Sequence, residues 1–313
     1  MSAIEVQAPG LLTTVQDLGR EGCGPMGVSP SGAADAVSLR LGNRVLGNAE
    51  GAAALEMTLV GGSFVFPQGS VIALSGSDFG ATLDGATVDL WTSVQVRPGQ
   101  VLKLGATRSG ARCYLCVQGG IAVEPLLGSA STHVLSGLGG FEGRALRRGD
   151  ILHIGPAGGR FRRRTVAPQA LERLSTRRVL RVTAGPQSDW FSASSQREFY
   201  GGAYRVAEES NRMGLRLEGA PVVAESGREM ITEGVPLGAV QVPTGGRPIM
   251  LFVEQQTTGG YPKIANVISA DIHSVGQLRP RDDIRFERVE FEAARSLLRE
   301  QESLLSWEKL IQK

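Results

Sequence analysis

The chain has 313 residues, with 33 Lys and Arg against 31 Asp and Glu, so its formal net charge is +2. That length suits two domains rather than one core, and near-neutral charge removes the general case for nucleic acid as a partner. With 42% hydrophobic and 20% charged residues it is a folding chain and not a disordered one.

The 42 glycines follow no G-X-Y period, which excludes collagen and points to short strands joined by tight turns. No apolar run approaches the ~18 residues that a membrane helix needs. Met1-Ser2-Ala3-Ile4-Glu5 has neither the basic flank nor the apolar stretch of a secretory signal. The cysteines are Cys23, Cys113 and Cys116, an odd and low count that argues for a reducing compartment, with the cytoplasm as the default.

Strand-like runs fill residues 1–157. They are Gly62 to Phe66, Ser70 to Ser75, Val94 to Leu104 with a break at Pro98-Gly99, Ala111 to Val117, and Asp150 to Ile154. One helix interrupts them, with Ser31 placed to cap it, apolar positions at Val37, Leu39, Leu41 and Val45, and a stop near Gly47-Asn48. Residues 158–178 are rich in arginine, including Arg160, Arg162, Arg163, Arg164, Arg173, Arg177 and Arg178, and read as an exposed linker. Strands resume at Val179 to Thr183 and run through Arg285-Phe286 in a second β-domain, 179–288. From 289 to 313, Phe291, Ala294, Leu297, Leu298, Leu304, Leu305 and Ile311 recur at helical steps, which predicts an amphipathic C-terminal helix.

The two halves echo each other. Val6-Gln7-Ala8-Pro9-Gly10 matches Val182-Thr183-Ala184-Gly185-Pro186, and Phe66-Pro67-Gln68-Gly69 matches Val242-Pro243-Thr244-Gly245. Leu146-Arg147-Arg148-Gly149-Asp150-Ile151 matches Leu278-Arg279-Pro280-Arg281-Asp282-Asp283-Ile284. The order of matches is constant, as in a tandem β-domain.

No metal site is expected. The histidines His133, His153 and His273 are far apart. Cys113 and Cys116, three apart on a strand, face opposite sides, and no second cysteine pair completes a zinc site.

The densest chemistry is Glu254-Gln255-Gln256-Thr257-Thr258-Gly259-Gly260-Tyr261-Pro262-Lys263. Amides, hydroxyls, a phenol and an ammonium gather beside glycines that let a backbone approach a ligand. Lys263 is the cation of this run, suited to a carboxylate or a developing oxyanion. A second cluster, Glu208-Glu209-Ser210-Asn211-Arg212-Met213-Gly214, offers Arg212 for bidentate anion binding, or a turn in which Asn211 supplies left-handed geometry. In a third, Thr13 to Arg20, Asp17 and Arg20 are placed to pair, and the segment reads as structure.

These clusters carry a resemblance. With Pro9-Gly10-Leu11-Leu12-Thr13-Thr14-Val15-Gln16-Asp17-Leu18-Gly19-Arg20, Gln118-Gly119-Gly120-Ile121, Ser210-Asn211-Arg212-Met213-Gly214 and Gln256 to Ala265, the chain resembles the family of allophanate hydrolase subunit 2. That family includes KipA, the C-type component of 5-oxoprolinase and the biotin-dependent carboxyltransferase-like domain of urea amidolyase. Glu254 departs from the Asp usual in relatives, and Arg281 from the Gly of an R-P-G-D turn.

The resemblance implies a mainly β chain of tandem cyclophilin-like β-barrels with a few helices. It implies a subunit-1 (KipI-type) partner in a hetero-oligomer, and in some relatives a LamB/YcsF-type component as well. The implied activity is that of one component in an ATP-dependent amidolyase complex, foremost 5-oxoprolinase, converting 5-oxoproline to glutamate. The alternatives are a biotin-dependent carboxyltransferase like urea carboxylase, and a non-catalytic KipA-like antagonist of a KipI-like kinase inhibitor. ATP then enters at the level of the complex, and biotin only in the carboxyltransferase case. On this reading Lys263, Tyr261 and Gln256 are the catalytic residues, and Arg212, Thr257, Glu254 and Asn211 bind substrate.

Overall fold

The computed structural model describes residues 2–158, 161–225, 230–307 and 310–312. It divides into two units. The first comprises Met1–Arg20, Ser31–Leu174 and Leu304–Lys313, the second Glu21–Pro30 and Ser175–Ser303.

In the first unit two sheets face a common core. One has the strand order Ile151–His153, Ala3–Ala8, Ser63–Val65, Val101–Lys103, Thr82–Leu83, Ala86–Thr87; the other runs Leu12–Gln16, Ala54–Thr58, Arg112–Val117, Ser70–Gly76, Ser93–Val96. The strand Arg112–Val117 explains the layering. Its alternate residues Cys113, Leu115 and Val117 join Ile4, Val6, Phe64, Phe66 and Leu102 between the sheets. Tyr114 and Cys116 point the other way, into a second cluster with Val37, Leu41 and Val45. Opposite placement of the two cysteines is therefore observed.

The helix of that second cluster is Ala36–Leu46. It packs close to the sheet because Gly42 has no Cβ: one there would come within 2.7 Å of both Cys116 Sγ and Ser75 Oγ. Asp35, not Ser31, caps it, accepting from Ser38 N at 2.9 Å. Ser31 lies instead in left-handed backbone, φ 54°, four residues too early to reach the first turn.

The second unit is a closed barrel in the order Val179–Ala184, Lys263–Val267, Ala239–Gln241, Ile249–Leu251, Gly214–Glu218, Tyr204–Val206, Asp283–Arg288. Val179–Ala184 and Asp283–Arg288 close it as a parallel pair. A separate ribbon, Glu233–Gly234 on Thr258–Gly259, lies outside the ring of barrel strands. The mainly β expectation holds, and strand positions agree closely with the turn punctuation.

Two boundary expectations are corrected. The stretch beyond 158 is not a free linker, although Gly159 and Arg160 lie outside the described residues. Val166, Ala167, Ala170 and Leu174 are buried in the helix-side cluster of the first unit, and Pro168–Arg173 is a helix. The arginines obscured an apolar minority that packs. The C-terminal helix is Phe291–Leu305, and Ile311–Gln312 instead pairs with Thr165–Val166 as a short antiparallel ladder. Its apolar stripe is only partly covered: Leu305 is buried, Phe291 66% exposed.

Candidate functional site

Lys263 opens the barrel strand Lys263–Val267. It pairs in register with Gln241, just after a bulge at Val240/Gln241. Its side chain is 1% exposed. Its backbone is also gripped from the far side: Lys263 N donates to Gln187 Oε1 at 3.2 Å, and Gln187 N donates to Lys263 O. The chain turns there at Gly185, where a Cβ would lie 2.2 Å from Lys263 O, so only glycine permits the approach.

A buried ammonium requires a counter-charge. Glu233 supplies it: Oε1 lies 2.5 Å from Lys263 Nζ, and the same oxygen accepts from Gln187 Nε2 at 3.0 Å. Hydrogen bonding from Lys263 and then Gln187 holds the Glu233 carboxyl below the usual carboxylate range. Among the described residues Nζ makes no other polar contact. Gln241 is 1% exposed and its Oε1 accepts from Gln256 Nε2 at 3.2 Å, while its own Nε2 has no acceptor among the described residues. Lys263, Glu233, Gln187, Gln241 and Gln256 thus form one polar group on the second unit.

The other expected residues divide differently. Tyr261 is 47% exposed. Thr257 is half-buried, and its carbonyl accepts from Val235 N at 3.1 Å. Arg212 and Glu254 pair with each other, Nε to Oε1 2.5 Å, both under a tenth exposed. Asn211 is exposed, and its Oδ1 accepts from Met213 N at 2.8 Å; it makes an Asx turn and is not left-handed. So each of the two cations, Arg212 and Lys263, has its own carboxylate.

Sequence reasoning missed Glu233, Gln187 and Gln241. The one available signal was Gln241 between Val240 and Val242, a polar residue inside an apolar strand. Glu233 sits in no motif.

On the first unit, Thr13 to Arg20 is a clamp. The Asp17 carboxylate accepts from Gly19 N at 2.8 Å, Ser129 Oγ at 2.7 Å, Ala130 N at 2.7 Å and also Ser131 Oγ. Arg20 donates to the Ser131 carbonyl at 2.6 Å. The expected Asp17–Arg20 pairing is replaced by two side chains holding one segment, 129–131. A cleft of about 680 Å³ on the second unit, lined by Arg178, Arg205, Glu218, Asp283 and Arg285 among others, contains none of the expected site residues. Two of its arginines are paired, Arg205 with Asp283 at 2.9 Å and Arg178 with Asp282.

The second unit is thus a seven-stranded barrel whose buried Lys263 pairs with Glu233 beside the Gln187 carboxamide. Residues 26–288 match the family described as "Carboxyltransferase domain, subdomain A and B", and the chain belongs to that family. It is 38% identical to the C-type component of 5-oxoprolinase from Haemophilus influenzae over 292 residues, 93% of each chain. It is 37% identical to urea amidolyase of Saccharomyces cerevisiae over 323 residues, covering 96% of this chain but 17% of that protein. The crystal structure of the K. lactis urea amidolyase superposes with a TM-score of 0.89 at 33% identity, covering 97% of this chain and 20% of that one. No group of three or more His, Cys, Asp or Glu among the described residues is placed to hold a metal ion. No helix among them is long and apolar enough to cross a membrane.

Proposed function

We propose that this chain is the C-type component of a 5-oxoprolinase complex, opening a cyclic amide to glutamate with ATP consumed at the level of the complex. The observation that carries the reading is Lys263, a buried ammonium paired with Glu233, which the Gln187 carboxamide also holds, while Gln241 pairs in register with the lysine. 5-Oxoproline carries one carboxylate and one lactam, and these are the groups an ammonium and amide donors recognise. Near-complete mutual coverage with a 5-oxoprolinase component supports it, since urea amidolyase is a far longer protein. Lys263 binds and polarises in this scheme, Gln241 and Gln256 orient the amide, and Tyr261 meets the ligand from the exposed side. Arg212 and Glu254 fix the loop that carries them. No side chain here is required as a nucleophile; positioning and electrostatic stabilisation are the contribution.

The family description favours a second reading, carboxyl transfer from biotin. Carboxybiotin presents a carboxylate on a ureido group, so Lys263 and the unpaired Gln241 Nε2 fit it by the same chemistry.

Co-expression with a subunit-1 (KipI-type) protein and a LamB/YcsF-type protein tests the reading. The purified complex is expected to release glutamate from 5-oxoproline with ATP. Lys263→Met, which keeps the stem and removes the charge, is expected to lower turnover about 100-fold, the scale of one lost oxyanion-type donor. A complex inert toward 5-oxoproline that carboxylates urea from carboxybiotin would establish the second reading instead.

A further inference from the structure

Lys263 is anchored in the barrel, but its counter-ion is not. Glu233 belongs to the two-residue strand Glu233–Gly234, and its side chain is 44% exposed against 1% for the lysine. The carboxylate can return to water at small cost; the ammonium cannot.

The donors around that carboxylate outnumber the bonds it accepts. Register places Gln241 beside Lys263 on one pair of strands and Glu233 beside Gly259 on the ribbon. Neighbours in register project their side chains to the same face. A Cβ on Gly259 would lie 2.4 Å from Gln241 Nε2, so this nitrogen sits against the face from which Glu233 projects. Three donors therefore meet there: Lys263 Nζ, Gln187 Nε2 and Gln241 Nε2. Glu233 serves the first two, both through Oε1, and leaves Gln241 Nε2 without an acceptor among the described residues. Tethered to its own strand, the carboxylate reaches only part of the cradle.

We infer that Glu233 is an internal stand-in for a small carboxylate ligand, which displaces it and binds Lys263 Nζ, Gln187 Nε2 and Gln241 Nε2 together. The inference rests on the site reading above and specifies the ligand group that Lys263 recognises. Gly259 is part of the device, because any side chain at that position covers the third donor. Occupation by Glu233 gives the lysine a counter-charge and holds its orientation while the site is empty of substrate, and it weakens every carboxylate that must compete with it.

Calorimetric titration of the full chain with sodium L-5-oxoproline, and separately with sodium acetate, tests this. Glu233→Gln removes the competing anion and is expected to bind 5-oxoproline about 10-fold more tightly than the unaltered chain. Acetate is expected to show the same rank order, which assigns the gain to the carboxylate rather than the lactam. Gly259→Ala is expected to weaken binding about 10-fold, and it decides the matter should Glu233→Gln fail to fold. Lys263→Met is expected to abolish binding. Equal or weaker binding by Glu233→Gln, with Lys263→Met still abolishing it, would overturn the stand-in and leave the site intact. Binding unaffected by Lys263→Met would remove both the stand-in and the site. Turnover of the assembled complex reads the proposed reaction independently of either result.

Discussion

Arg212 and Glu254 face each other at 2.5 Å, with side chains 7% and 5% exposed. Glu254 N also donates to Arg212 O at 2.9 Å, so side chain and backbone tie the two segments together. A pair this buried gives fold specificity and geometry more than net stability. Losing one partner is another matter, because it takes the close opposite charge from a buried group. Glu254→Ala is expected to cost about 3–5 kcal/mol. Urea unfolding monitored by tryptophan fluorescence measures it. Glu254→Asp retains the charge and is expected to lose less than half as much. A cost below about 1 kcal/mol for the alanine variant would return Arg212 to the ligand-binding role.

Asp150 gives the first unit an acid-sensitive clasp. Arg144 grips it in bidentate fashion at 2.7 and 3.0 Å, and Arg147 N donates to it at 2.7 Å. The hydrogen bonds from Arg144, followed by that from Arg147, hold the carboxyl below its usual range. A depressed folded-state value contributes stability above the unfolded value, about 3.9, and loses it as pH falls through the folded one. Unfolding free energy is thus expected to drop as pH falls below about 4, the unfolded value, and through the lower folded one. Asp150→Asn is expected to be less stable by about 1.5–3 kcal/mol at neutral pH, with a shallower acid limb. Identical acid limbs in the two proteins would refute this account.

Cys113 and Cys116 are fully buried and free, on opposite faces of one strand. Burial pushes both thiols up, Cys116 to about 12. Thiolate is the reactive form, so at pH 8 neither is expected to react with a soluble thiol reagent on the timescale of minutes. Both are expected to react fully in denaturant. Rapid labelling of either in the native chain, read by mass spectrometry, would contradict the placement.

What the sequence revealed follows from how local each signal is. Strands such as Ser70–Gly76 were legible because Pro67-Gln68-Gly69 punctuates them and alternation marks their faces. The helix Ala36–Leu46 was legible by its apolar period, but not its cap: Asp35 wins over Ser31 by position alone. The Gln256 to Lys263 run stands out in the sequence as a polar anomaly, but its last residue belongs to a barrel strand. Lys263 lies in a strand because Gln241 pairs with it across a gap in sequence, a contact no local pattern encodes. Glu233 reaches Lys263 across a longer gap and looked like any surface glutamate. The arginine-rich stretch misled in the opposite way, its many charges outweighing the few apolar residues that pack, Val166, Ala167, Ala170 and Leu174.

The two turns Arg147–Asp150 and Arg279–Asp282 allow a last test, because they reach one geometry with different residues. In the first, Arg147 N donates to Asp150 Oδ2 at 2.7 Å, Asp150 N donates to Arg147 O at 3.2 Å, and Gly149 sits at φ 91°. In the second, Arg279 N donates to Asp282 Oδ2 at 2.6 Å, Asp282 N donates to Arg279 O at 3.1 Å, and Arg281 sits at φ 70°. The geometry is shared while the residue is wrong for it: left-handed backbone costs a side-chain-bearing residue about 1–2 kcal/mol. Arg281 recovers little, since its contact to Glu208, 2.5 Å between groups 82% and 59% exposed, is a surface pair worth ~0–1 kcal/mol. Glycine carries its own entropic cost of about 0.5–1 kcal/mol in the unfolded chain. The balance predicts that Arg281→Gly stabilises the second unit by at most about 1 kcal/mol, while Gly149→Arg destabilises the first by a similar or larger amount. Thermal unfolding of the two single variants measures both. A destabilised Arg281→Gly would mean that the Glu208 contact outweighs the backbone strain.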